Sequence, residues 1–165
     1  MLKQIVLDKL NNQINLEHFS SNLYLSMSSW CKFKGLDGAS KFLSDHSNEE
    51  LGHMNRLFDY VNDTGAQALV GNIEKPETKF KDIKEVFEKT YEHEQFITDQ
   101  INELAALTLE QKDYATFNFL QWYVAEQHEE EKLFKSILDK MEIIGLEGRG
   151  LFMIDREIGN LIKSQ

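Results

Sequence analysis

A single cysteine, Cys31, rules out an internal disulfide and any zinc site built from several thiolates. It lies on an expected helix with no basic cluster beside it, and reads as a small core or interface residue. One proline among 165 residues, Pro76, and only nine glycines leave room for long uninterrupted helices. No stretch reaches the roughly 18 apolar residues of a membrane span. The opening run, from Met1 to Gln13, is too acidic and too short in apolar residues for a secretory signal. The expectation is therefore a cytoplasmic, reducing location with no membrane partner. Positive charge is also scarce. Eighteen Lys and Arg stand against 28 Asp and Glu, a net charge of −10, which argues against nucleic acid as a partner and suits cations.

The chain has the length of one domain with a sizeable core, and its 41% hydrophobic and 28% charged composition reads as soluble and globular. Helical periodicity and glycine stops divide it into five helices. The first runs from about Gln4 to Lys34 and stops at Gly35. The second runs from about Asp37 to Thr64 and stops at Gly65. An extended connection from about Ala66 to Lys79 carries Gly71, Asn72 and Pro76. A third helix spans about Lys81 to Gln111, and a fourth begins near Asp113 and ends before Gly145. A short fifth spans about Leu151 to Lys163. Short turns make the first two helices antiparallel, and likewise the third and fourth. The long connection can run the length of a ~40 Å helix, which lets the second and third helices be parallel. The expected fold is all-α: a four-helix bundle over about 4–144 with one long crossover, plus a short C-terminal helix, in a single domain over 1–165.

The apolar stripes of these helices are interrupted by acids. The second carries Phe42, Leu43, His46, Glu50, His53, Leu57 and Val61. The third carries Ile83, Phe87, Thr90, Glu94, Ile97, Ile101 and Leu104. The fourth carries Leu120, Tyr123, Gln127, Glu130, Phe134, Ile137 and Met141. The first is apolar on two faces, one with Leu10, Ile14, Glu17, Tyr24 and Cys31, the other with Leu16, Phe19, Leu23, Met27 and Trp30. Burial on two sides implies a subunit interface.

Glu17, Glu50, Glu94 and Glu130 fall roughly 13 to 17 residues from the same end of the bundle, within one to two turns of a common level. Buried carboxylates are costly unless paired or bound to metal. Carboxylates with an imidazole suit borderline divalent ions such as ferrous iron, manganese and zinc. Glu50 and His53, three residues apart, share one helix face. A first ion is assigned to Glu17, Glu50 and His53, and a second to Glu50, Glu94 and Glu130, with Glu50 as the bridge. Gln127 is placed to hydrogen-bond a metal-bound water or dioxygen. Tyr24 is placed to support a carboxylate or donate an electron. Trp122 packs near the site. His46 reads as a half-buried, hydrogen-bonded histidine, and His18, His93 and His128 as solvent-facing.

Together these residues resemble bacterial non-haem ferritins over essentially the whole chain. The family layout places one glutamate on each of two helices and Glu-x-x-His on the other two, and the ion assignment follows it. Here the first motif is Glu50–His53, and the second is Gln127–Glu130, a variant typical of ferritins. The resemblance implies iron storage, with ferroxidase oxidation of Fe(II) by O2 or H2O2 at a di-iron centre. It implies storage of Fe(III) as hydrated oxide in a shell of 24 identical subunits, whose fourfold axes the fifth helix lines. It also implies a third iron position near Glu49, Glu126, Glu129 and Glu130, although Glu126, Glu129 and Glu131 equally suit a solvated acidic face. Leu51 stands where bacterioferritins carry their haem-ligating methionine, so no haem is expected. A rubrerythrin-like peroxidase would need more cysteines. A mini-ferritin would lack the fifth helix. A metal-free structural bundle is the alternative of a different class. Only the Glu50–His53 half holds a nitrogen ligand in this reading, so two inequivalent metal positions are expected, the histidine-bearing one filling first.

Overall fold

The computed structural model describes residues 2–161. It contains α1 (Gln4–Phe33), α2 (Asp37–Asp63), α3 (Ile83–Glu110), α4 (Tyr114–Ile144) and α5 (Arg149–Gly159), with no strand among the described residues. α1 pairs with α2 and α3 with α4, α1 also packs on α3, and α5 lies against α2 and α4. No helix among the described residues is long and apolar enough to cross a membrane.

Side-chain caps fix the starts of α3 and α4. Asp82 accepts from the Glu85 amide at 2.9 Å, so α3 begins at Ile83 rather than Lys81. Asp113 accepts from the Thr116 amide at 3.1 Å and from its hydroxyl at 2.7 Å. α2 has no cap of its own. Instead Asp155 of α5 accepts from the amides of Gly38 and Ala39 at 3.1 and 2.8 Å. α5 starts two residues earlier than expected, after Gly148 with φ +54°, and ends at Gly159 with Asn160 as its C-cap. The expected end at Lys163 lies outside the described residues.

The connection between α2 and α3 runs up the side of α1. Asn11 Oδ1 accepts from the Leu69 amide at 2.8 Å, and Asn15 Oδ1 from the Gly71 amide at 2.6 Å. Asn15 Nδ2 donates to the Leu69 carbonyl at 3.0 Å, and Ser26 Oγ to the Glu77 carbonyl at 2.7 Å. Eight residues of strap thus cover fifteen residues of helix, about 26 Å of extended chain against about 22 Å of α-helix. The strap travels in the direction of α1, which returns the chain to the top of the bundle and makes α2 and α3 parallel.

The core is divided in two. One apolar cluster includes Tyr24, Met27, Phe42, Leu43, Phe87, Phe134, Ile137 and Ile154. The other includes Val6, Leu10, Ile14, Leu57, Val61, Ile97, Ile101, Leu104, Leu120 and Tyr123. Each of α1 to α4 passes from one cluster to the other at its own carboxylate: Glu17, Glu50, Glu94 and Glu130. A polar layer therefore crosses the middle of the bundle.

Candidate metal centre

That layer is dry. Glu17, Glu50, Glu94 and Glu130 are 1%, 2%, 1% and 0% exposed, and His53 is 4% exposed. Four carboxyl groups in an apolar interior require protons, hydrogen bonds or a cation. The structure supplies hydrogen bonds to Glu17 and Glu94 and imidazoles beside Glu50 and Glu130.

On the α1–α2 side, His53 Nδ1 lies 3.0 Å from Glu50 Oε2 and 4.0 Å from Glu17 Oε2. Glu17 Oε1 accepts from Gln13 Nε2 at 2.8 Å, while Glu17 Oε2 makes no hydrogen bond. Burial holds the Glu17 carboxyl up at about 8, and the neighbouring Glu50 adds to the rise. The ring of His53 is held edge-on to Trp122 at 5.3 Å and to Tyr123 at 6.2 Å. The Tyr123 hydroxyl donates to the His53 carbonyl at 2.7 Å, tying α4 to α2 at this level.

On the α3 side, Glu94 is gripped from two directions. The Tyr24 hydroxyl donates to Oε1, and Gln127 Nε2 donates to Oε2 at 2.9 Å. Burial and the charge of Glu130 raise the Glu94 carboxyl to about 7, and the two hydrogen bonds hold it back from rising further. Burial, and then Glu94 itself, push the Tyr24 phenol well above its usual range, which keeps it a proton donor.

Three sets of ligand atoms gather within 4.8 Å of one another among the described residues: Glu17 with Glu50 and His53; His46 with Glu49 and Glu130; and Glu49 with His53 and Glu126. The first set coincides with the residues assigned to the first ion. Glu94 stands outside all three sets and faces Tyr24 and Gln127 instead. Glu49 and Glu126 are half-buried. Glu129 is exposed, with its carboxylate 3.8 Å from Lys132 Nζ, and joins none of the sets.

Three histidines differ from their sequence reading. His93 is not solvent-facing. It is half-buried between α1 and α3 with Nε2 2.7 Å from Ser20 Oγ, and burial lowers it to about 4. His18 is likewise half-buried, while His128 is exposed. His46 is fully buried, with Nε2 3.5 Å from Glu130 Oε2, so the Glu130 half of the layer does have a nitrogen beside it. Gln13 was missed, although its position one turn before Glu17 on the same face was a usable signal. Tyr123 was visible as a stripe residue, but its bond to a backbone carbonyl on another helix left no trace in sequence.

A family model described as the ferritin-like domain matches residues 7–144. A probable bacterial non-heme ferritin-like protein of Haemophilus influenzae is 58% identical over 161 residues, covering 98% of both chains. The bacterial non-heme ferritin of Campylobacter jejuni is 52% identical over 165 residues, covering 100% of this chain and 99% of that one. Among solved structures, an open pore ferritin from Archaeoglobus fulgidus superposes with a TM-score of 0.95 at 38% identity, covering 98% of this chain and 100% of that one. A ferritin of Chlorobium tepidum superposes at 0.87 with 48% identity, covering 99% and 100%.

Proposed function

Since the chain belongs to the ferritin family, we propose that it stores iron and oxidises it on entry, taking ferrous ions as substrate at the buried carboxylate layer. The observation that carries this reading is the layer itself. Four glutamates, one from each helix, meet fully buried between two apolar clusters, with the His53 imidazole among them. A pair of divalent cations would supply the missing charge. Glu17, Glu50 and His53 would hold one, and Glu50, Glu94 and Glu130 the other, with Glu50 between them.

Oxidation at such a site removes one electron from each of two ferrous ions. Dioxygen takes both with two protons and leaves as hydrogen peroxide; with peroxide as oxidant the product is water. The surrounding residues set the conditions. The apolar clusters exclude bulk water, which keeps the carboxylates strong ligands. Gln127 and Tyr24 hold Glu94 in reserve and release an oxygen to an incoming ion. Glu49 and Glu126, half-buried at the edge of the layer, offer a third acidic position, with Glu129 beside it on the surface. Ferric iron would leave as a hydrated oxide mineral inside a shell of 24 subunits. Self-association is supported by exposed apolar side chains on several helices, among them Leu25, Phe33, Phe96 and Phe152. A cytoplasmic location agrees with the single buried thiol.

Anaerobic loading with ferrous iron followed by rapid mixing with air tests the reading. The wild type is expected to oxidise iron far faster than buffer and retain it through gel filtration. Glu50→Ala, Glu94→Ala and Glu130→Ala should lose fast oxidation while sedimenting like the wild type. A wild type that neither accelerates oxidation nor retains iron would overturn the proposal. A metal-free structural bundle predicts instead that these variants are neutral or stabilised.

A further inference from the structure

His46 is 3% exposed and lies one turn before Glu50 on α2. Its ring is fixed on both sides, tilted against Phe42 at 4.2 Å between centroids and edge-on to Phe134 at 5.3 Å. Nδ1 is 3.1 Å from the Phe42 carbonyl. A carbonyl oxygen only accepts, so Nδ1 carries the proton and Nε2 is the remaining functional atom. Nε2 makes no hydrogen bond and is aimed into the polar layer, 3.5 Å from Glu130 Oε2, and the imidazole offers a ring nitrogen within 4.8 Å of carboxylate oxygens of both Glu49 and Glu130. An imidazole N–H anchored to a backbone carbonyl, with the other nitrogen facing carboxylates, is the usual way a protein orients a histidine ligand.

We propose that His46 Nε2 supplies the nitrogen ligand of a divalent-cation position shared with Glu49 and Glu130. The position lies toward the α2–α4 edge of the layer, on the route between the half-buried Glu49 and the fully buried Glu130. It gives an ion a nitrogen donor before it reaches the Glu50 bridge. The layer then has two histidines, His46 and His53, one turn to either side of Glu50 on α2. The donor set of one imidazole and two carboxylates suits borderline ions and excludes hard ions such as calcium and magnesium. The inference rests on the iron reading for its biological cargo, but not for its geometry.

Zinc, which has no redox chemistry, is the probe. Anaerobic calorimetric titration of the assembled protein is combined with zinc-edge anomalous diffraction from soaked crystals, for wild type, His46→Phe, His46→Gln and His53→Gln. In the wild type a zinc peak is expected about 2.1 Å from His46 Nε2. His46→Phe should lose at least tenfold in affinity there while the Glu17–Glu50–His53 position keeps its own. His46→Gln, which keeps a neutral donor of similar reach, should fall between, and it serves as the reporter if the Phe variant does not assemble. His53→Gln should show the reverse selectivity. An alternative has the opposite sign: an imidazolium that merely neutralises Glu130 would compete with the ion, and its removal would tighten binding. Unchanged or tighter zinc binding in the His46 variants, or a wild type with no peak at Nε2, would overturn the proposal. Absence of iron oxidation by the wild type would instead overturn the iron reading while the zinc result stood.

Discussion

The Tyr24 hydroxyl donates to Glu94 Oε1, joining α1 to α3 at the level where all four bundle helices carry their carboxylates. With Gln127 on the other oxygen, it turns Glu94 away from the Glu17, Glu50 and His53 group. Tyr24→Phe removes one of the two restraints. The expected result is a slower oxidation phase by about 10–100-fold, as for other residues that orient ligands, and a loss of about 1–3 kcal/mol from an unmet buried oxygen. Stopped-flow absorbance and chemical denaturation measure the two. An unchanged rate would remove Tyr24 from the machinery.

Glu17→Gln should separate stability from function. The amide oxygen still accepts from Gln13, and a buried acid beside Glu50 is removed. Metal-free variant is expected to gain about 1–3 kcal/mol at alkaline pH. Metal binding at the Glu17–Glu50–His53 position should fall by two orders of magnitude or more. Destabilisation of the metal-free protein would show that the carboxylate has a structural role beyond its charge.

The pH dependence follows from the same groups. Glu17 is raised to about 8 and Glu94 to about 7, against 4.5 for a free carboxyl. The folded protein therefore binds more protons than the unfolded chain between these values. This contribution to stability is complete below the unfolded value and is lost as pH rises through 7 to 8. Unfolding in the presence of a chelator should show stability falling from about pH 4.5 and levelling off above about pH 8, by on the order of a few kcal/mol in all. Zinc should reverse the trend and release protons as it binds, more at the acid end than at the alkaline end. A flat profile in chelator would contradict the protonated state of these acids.

Two glycines of α2 should respond oppositely. A Cβ at Gly38 would stand 1.9 Å from the Asp155 carbonyl oxygen, backbone that cannot move aside cheaply, whereas one at Gly52 meets nothing within 4 Å. Gly38→Ala should cost about 1–3 kcal/mol and loosen α5, seen as faster proteolysis between α4 and α5. Gly52→Ala should gain about 0.5–1 kcal/mol from helix propensity. Equal effects at both sites would argue against close docking of α5.

Much of this architecture was legible in the sequence. Long apolar stripes, few breakers and glycine stops define the helices, and the length of the Ala66–Lys79 segment allows the parallel arrangement of α2 and α3. Glu17, Glu50, Glu94 and Glu130 stand out because an acid in an apolar stripe contradicts its surroundings. Side-chain direction across helices was not legible. The Nε2 of His46 aims at Glu130 because Phe42 and Phe134 clamp its ring, and that contact spans α2 and α4. His93 reads as solvent-facing because it sits beside the Glu94 stripe rather than on it, whereas Ser20 on α1 meets its Nε2 at 2.7 Å. The same blindness hid the cap on α2, whose acceptor lies more than a hundred residues away.

That distant cap bears on the order in which the protein matures. The first amides of α2 have no acceptor from their own helix, and their partner is Asp155. During synthesis α2 emerges early, but its first turn stays incomplete until residue 155 has left the ribosome. The second helix of the bundle is thus completed only by the last helix to be made, so the end of the chain closes a turn begun near its start.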